Sequence, residues 1–118
     1  MHETELQSVA DDARRAFETK SVDEALLAEL YGAYADVGDT ALFVKRALGS
    51  FPHLSCGLAT VYVRHRLGAG TVVQGKYGKE DHTFLRMEDG TVIDITADQY
   101  GGPKTYVGKI APPWSLRC

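Results

Sequence analysis

The sequence is poor in cysteine, lacks long apolar runs and has no large excess of one charge. Its 118 residues include two cysteines, Cys56 and Cys118, too few for a disulfide framework. No apolar stretch approaches membrane-spanning length, so no contact with a membrane is predicted. The net charge of -3 and a single short basic cluster, residues 64–66, offer no track for phosphates, so nucleic acid is not a predicted partner.

Metal-ligand spacing is also missing. There is no Cys-x-x-Cys or His-x-x-x-His pair, and a site built from Cys56, His82, Asp94 and His53 would draw on separate segments. We therefore predict no metal and no cofactor. The acidic start, residues 1–5, is not typical of a signal peptide and predicts a cytoplasmic protein, or one translocated without a cleavable signal.

The chain shows no internal repeat and no low-complexity tract, and its length suits one domain with its own core. We predict a single domain over 1–118. Residues 1–50 form its helical part and residues 53–110 its catalytic core.

Residues 4–19 predict an amphipathic first helix. Its apolar positions recur at helical spacing: Leu6, Val9, Ala10, Ala13 and Phe17. The charged positions between them are Asp11, Asp12, Arg14 and Arg15. This division predicts a buried apolar face and a charged face toward water.

A second helix is predicted after a capping box. Ser21 caps this helix and Glu24 reaches back to the cap, the two positions having the spacing that such a box requires. The helix is expected to end near Gly38. Its tyrosines, Tyr31 and Tyr34, are interpreted as core residues.

Two more helices follow. Asp39 or Thr40 can cap a short helix that runs through Leu48. Residues 56–63 then contain no charge and leave no polar face, which is typical of a helix buried in the middle of a fold. Gly68 is expected to end this fourth helix.

The periodicity changes to that of strands after residue 70. Strands are predicted over 71–77, 82–87 and 91–96, with a short edge strand at 106–107. Residues 97–104 are predicted to form a loop, and the tail 111–114 an extended segment packed by its tryptophan. The pattern as a whole predicts an α+β fold.

Three residue types with complementary chemistry occur in a meaningful order: Cys56, His82 and Asp94. A thiolate attacks a carbonyl, an imidazole transfers the proton, and a carboxylate orients the imidazole. The alternative for Cys56 is a buried structural cysteine, and the alternative for His82 is a surface histidine without a catalytic role. Asp98 is the rival for the carboxylate.

The turn between the second and third strands decides whether His82 and Asp94 can meet. A two-residue turn would place them on opposite faces. A three-residue loop over 88–90, with Gly90 left-handed, pairs Phe84 with Asp94 and makes His82 a diagonal neighbour on the same face. The longer loop also gathers the apolar residues on one face, so we predict this register.

These motifs resemble the papain-like and transglutaminase-like cysteine enzymes. The resemblance rests on Cys56-Gly57-Leu58-Ala59, His82-Thr83-Phe84-Leu85 and Asp94-Ile95-Thr96, and covers roughly residues 53–100. It implies a cysteine-bearing helix packed on a small antiparallel sheet, with a Cys-His-Asp triad and no metal.

The function predicted is acyl transfer at the amide bonds of a peptide or protein through a Cys56 thioester. Peptidases, amidases, glutamine deamidases and transglutaminases share this half-reaction. Alternatives are a small toxin or effector with the same chemistry, and a non-catalytic binding module. The backbone N–H of Cys56 is a natural oxyanion donor, and His53, Tyr77 and Gln99 are further candidates for oxyanion or substrate contacts.

Overall fold

The computed structural model describes residues 2–116 and shows the predicted α+β fold. Its helices are α1 (Glu3–Glu18), α2 (Glu24–Tyr34), α3 (Thr40–Ser50) and α4 (Cys56–Leu67). Its strands are β1 (Thr71–Tyr77), β2 (Glu80–Arg86), β3 (Thr91–Asp94), β4 (Tyr106–Lys109) and β5 (Trp114–Ser115), and a 3₁₀ helix covers Ala97–Tyr100. The strands form one antiparallel sheet in the order β4-β3-β2-β1-β5.

Helix α4 lies in the core, as its uncharged sequence predicts. Residues 58–63 are all buried, and Gly68 ends the helix in the left-handed conformation. The main core joins the helices to one face of the sheet through Leu85 and Ile93, and includes Ile95, which directly follows β3. None of the helices within residues 2–116 is long and apolar enough to cross a membrane.

The predicted capping box of α2 is wrong. The cap is Asp23, whose carboxylate accepts hydrogen bonds from the N–H groups of Ala25 at 2.9 Å and Leu26 at 3.2 Å. Ser21 lies too far before the helix, and its hydroxyl contacts that of Thr19 instead. An acceptor one residue before the helix reaches the first free N–H groups, which explains why Asp23 takes this position.

The predicted ends of the second and third helices also need correction. Helix α2 ends at Tyr34, before Gly38, which lies in the following loop with a φ of 77°. Asp39 caps α3 by accepting a hydrogen bond from the Leu42 N–H, one of the two predicted alternatives. Helix α3 continues beyond Leu48 to Ser50.

The three-residue loop between β2 and β3 is confirmed. Leu85 pairs with Ile93, and the Met87 N–H donates to the Thr91 carbonyl at 2.8 Å. Gly90 has the predicted positive φ, at 92°. This register places His82 and Asp94 on the same face of the sheet, opposite the face that carries Leu85 and Ile93.

The two edges of the sheet are short. Strand β4 is an edge, as predicted, and extends to Lys109. The tail forms the other edge, where Trp114 pairs with Tyr77. Trp114 is buried against the face of the sheet that also carries Phe84 and Val92. The predicted packing of the tryptophan is therefore confirmed, and its strand pairing is an addition.

Candidate active site

Cys56 is the first residue of α4, as predicted. Ser55 precedes it but does not cap the helix with its side chain. The buried Ser55 hydroxyl instead contacts the carbonyl oxygen of Ala47 in α3 at 2.9 Å and that of His53 at 3.0 Å. These contacts hold the turn before Cys56 against α3. The first N–H groups of α4 are therefore free of a side-chain cap.

His82 and Asp94 form a buried pair. His82 Nε2 lies 2.6 Å from Asp94 Oδ2, and the two side chains are 0% and 1% exposed. A carboxylate at this distance places the ring proton on Nε2 when the imidazole is neutral. The other ring nitrogen, Nδ1, is then available to a nucleophile. The predicted contact between these two side chains is thus present in the structure.

Asp94 is held by more groups than the sequence predicts. The indole Nε1 of Trp114 donates to Asp94 Oδ2 at 2.8 Å, beside His82. The backbone N–H of Thr96 donates to Oδ1 at 2.9 Å. Both oxygens of this buried carboxylate are therefore hydrogen-bonded, which offsets the cost of burying its charge. The single Trp in a proline-containing tail was the only sequence signal for this contact.

Cys56 and His82 influence each other's ionisation. Burial would raise the pKa of the Cys56 thiol, but hydrogen bonding to His82 and Thr83, with the positive charge of His82, lowers it overall. Burial would lower the pKa of His82, but hydrogen bonds and negative charge from Asp94 and Cys56 raise it to about 9. Each charged form thus stabilises the other, which favours a thiolate–imidazolium pair.

Thr83 reaches α4 because β3 ends early. Continued pairing would join Thr83 to Ile95, but β3 ends at Asp94 instead of continuing to residue 96 as predicted. The Ile95 carbonyl instead accepts a hydrogen bond from Arg14 at 2.8 Å. Thr83 then interacts with α4, where its carbonyl lies 3.3 Å from the Thr60 hydroxyl and hydrogen bonds from Thr83 reach Cys56.

Arg14 lies in the interior, not on the predicted charged face of α1. It is 6% exposed and forms a two-pronged ion pair with Asp98, with N–O distances of 2.7 and 2.8 Å. Asp98, the rival to Asp94, therefore pairs with Arg14. The sequence did carry one indication that Arg14 is buried: it lies four residues after Ala10 and three before Phe17, on the apolar face of α1.

The other predicted site residues have different positions. Gln99 is in the 3₁₀ helix. Its Nε2 lies 3.5 Å from Nδ1 of His82, the ring nitrogen that does not contact Asp94. Tyr77 lies edge-on to His82, 6.2 Å between ring centroids, with its hydroxyl against Gly102. His53 is exposed, and its N–H donates to the Ser50 carbonyl, so that amide is not a free oxyanion donor.

Within residues 2–116, no group of three or more His, Cys, Asp or Glu side chains is arranged to hold a metal ion. Comparison of the chain with protein-family models, curated proteins and solved structures found no match.

At about pH 6 we expect Cys56 to be alkylated faster than Cys118, because an ordinary thiol with a pKa of ~8.5 is mostly protonated at that pH. Cys118 lies outside the described residues. The labelling rate at Cys56 should rise at a lower pH than the rate at an ordinary thiol, because hydrogen bonding to His82 and Thr83 and the positive charge of His82 lower the Cys56 pKa. Iodoacetamide labelling with mass mapping measures both sites, and equally slow labelling at both would contradict a preformed thiolate.

Proposed function

We propose that this protein is a cysteine-dependent acyl-transfer enzyme acting on amide bonds of a peptide or protein. The observation that carries the proposal is that one imidazole, that of His82, interacts with both the Cys56 thiol and the Asp94 carboxylate. The imidazole Nε2 hydrogen-bonds the Asp94 carboxylate, which leaves Nδ1 for the thiol. A binding module needs no such chain of a nucleophile, a base and an orienting acid.

The chemistry proceeds in two halves. The Cys56 thiolate attacks the carbonyl carbon, and the carbonyl π electrons move to oxygen. As the tetrahedral intermediate collapses, the C–N bond breaks and protonated His82 gives its Nδ1 proton to the departing amine. A water molecule or an amine then attacks the thioester, with His82 taking its proton and Cys56 leaving as thiolate.

The resemblance to papain-like and transglutaminase-like enzymes accords with this proposal. The helix that begins with the cysteine packs on an antiparallel sheet whose neighbouring strands carry the histidine and the aspartate. Gln99 is proposed to contact the substrate, since its amide lies beside Nδ1 of His82, the nitrogen that transfers the proton. Arg14 is a positioning residue, because its ion pair with Asp98 anchors the 3₁₀ helix that carries Gln99.

An acyl-trapping experiment tests the proposal. The Cys118→Ser protein is treated with 4-nitrophenyl acetate, and intact mass with peptide mapping locates the acetyl group. We expect one acetyl group at Cys56, lost in water and lost faster with an added primary amine if the enzyme is a transferase. Peptide amides, including glutamine peptides, are then assayed for release of amine or ammonia.

The Cys56→Ala variant in the same background is the matched control for adventitious acetylation. Failure to form any Cys56 adduct, with turnover of none of the amides, would contradict the enzymatic proposal and leave the binding-module alternative.

A further inference from the structure

Acyl transfer to Cys56, which this inference takes from the proposed function, places negative charge on the former carbonyl oxygen. At least one hydrogen-bond donor is needed beside that oxygen. The backbone N–H of Cys56 is one donor, since it is the first of α4 and donates to no protein group within residues 2–116. The second donor should lie close to the first turn of the same helix.

Tyr31 of α2 reaches this turn because residue 57 is a glycine. A Cβ on Gly57 would lie 3.2 Å from Cε1 and 3.3 Å from the hydroxyl oxygen of Tyr31. Both distances are shorter than ordinary van der Waals contact, so the phenol would have to move by a few tenths of an ångström to admit an alanine. The absence of a side chain therefore permits the phenol to lie directly against the residue that follows Cys56.

The ring of Tyr31 is held in place, whereas its hydroxyl is uncommitted. Phe43 stacks on the ring with 4.8 Å between centroids and an interplanar angle of 15°, and Tyr34 packs beside it at 5.6 Å. No group within residues 2–116 hydrogen-bonds to the Tyr31 hydroxyl. Burial, with Tyr34 and Cys56 as lesser causes, raises the pKa of Tyr31, so the phenol keeps its proton.

We infer that Tyr31 is a further catalytic residue, whose hydroxyl donates a hydrogen bond to the oxyanion formed when Cys56 attacks an acyl carbon. The S–C bond forms, the carbonyl π electrons become a lone pair on oxygen, and the Tyr31 O–H donates to that oxygen without transferring its proton. When the intermediate collapses, the C=O bond returns and the leaving group departs with the proton from His82.

Two small probes separate this role from a general effect on the thiolate. Both 4-nitrophenyl acetate and iodoacetamide should react with a Cys56 thiolate, but only the reaction with the acetyl ester forms an oxyanion. In the Cys118→Ser background, Tyr31→Phe should lower the ratio of acetylation rate to alkylation rate by at least ~10-fold, since removing one oxyanion donor commonly costs more than this. The alkylation rate itself should stay unchanged.

Tyr34→Phe is the matched control, because this neighbouring phenol hydrogen-bonds Gln74 at 2.9 Å rather than facing Gly57. Its rate ratio should equal that of the parent protein. Gly57→Ala is a second variant, which keeps the Tyr31 hydroxyl but displaces the ring, and it should also lower the ratio. Circular dichroism confirms that each variant is folded.

The possible outcomes are distinct. An unchanged ratio in Tyr31→Phe would overturn the oxyanion role while leaving the proposed function intact, and an equal fall of both rates would do the same. Absence of Cys56 modification by either probe in the parent protein would overturn the proposed function itself, and with it this inference.

Discussion

Cys56→Ala and His82→Ala should each remove nearly all turnover of a responsive amide, because each abolishes formation of the thioester. The double variant should be little worse than either single variant, as expected for residues that act as one unit. Turnover of the same amide by the purified folded proteins is the measurement. Full activity in Cys56→Ala would end the enzymatic interpretation.

Asp94→Asn should lower turnover less than Cys56→Ala or His82→Ala does. By analogy with the serine triad the loss of turnover is up to ~10⁴-fold, and a preformed thiolate would make it smaller. The structure adds a reason for a large loss. Asp94 Oδ2 accepts from His82 and Trp114, and Oδ1 accepts from the Thr96 N–H. An asparagine has one acceptor oxygen, so its NH₂ group must face one of these donors.

The pH profile provides a second readout for Asp94→Asn. The pKa of His82, about 9 in the parent protein, should fall when the carboxylate is replaced, and the upper limit of the active pH range should fall with it. Asp98→Asn is the control and should lose less turnover than Asp94→Asn, because Asp98 contacts Arg14 and not the imidazole. Greater damage from Asp98→Asn would show that the third member is wrongly assigned.

Asp98→Ala should lower the free energy of unfolding by about 2–3 kcal/mol, somewhat below the usual cost of breaking a buried ion pair. The Arg14 guanidinium would keep its charge in the interior, where the Ile95 carbonyl, Glu18 and the face of the Phe51 ring would still contact it but Asp98 would no longer neutralise it. The cost is moderated because the Asp98 side chain is itself 20% exposed. Urea unfolding monitored by circular dichroism measures the change.

Arg14→Met should cost less than Asp98→Ala, because it removes the buried charge and retains an apolar stem, while Asp98 can gain water. The double variant should then cost less than the sum of the two single changes. The exposed pair Arg15–Asp12 on the same helix supplies the control, and Asp12→Ala should change stability by no more than about 0.5 kcal/mol. Equal effects of Asp98→Ala and Asp12→Ala would contradict a structural role for the buried pair.

The hairpin that joins His82 to Asp94 was predictable because its determinants are local. A three-residue loop with a left-handed Gly90 and a coherent apolar face together select one register. That register brings the imidazole and the carboxylate to one face of adjacent strands, whatever the rest of the chain does. The start of α4 at Cys56 was likewise readable from an uncharged run that ends in basic residues and Gly68.

The start of α2 was less readable, although its signals are also local. Ser21 and Asp23 both precede the same apolar pattern, and both residue types cap helices well. Only the path of the chain after α1 decides which of them lies next to the first free N–H groups.

The sequence by itself determined the α+β class, the register of the hairpin and the identity of the three residues that lie together at the candidate site. Tertiary structure alone decided what supports them. Trp114 meets Asp94 across 20 residues and Arg14 meets Ile95 across 81, and no periodicity encodes such pairings. Tyr31 became a candidate donor rather than a simple core residue for the same reason, since only the packing of α2 on α4 brings its hydroxyl to Gly57.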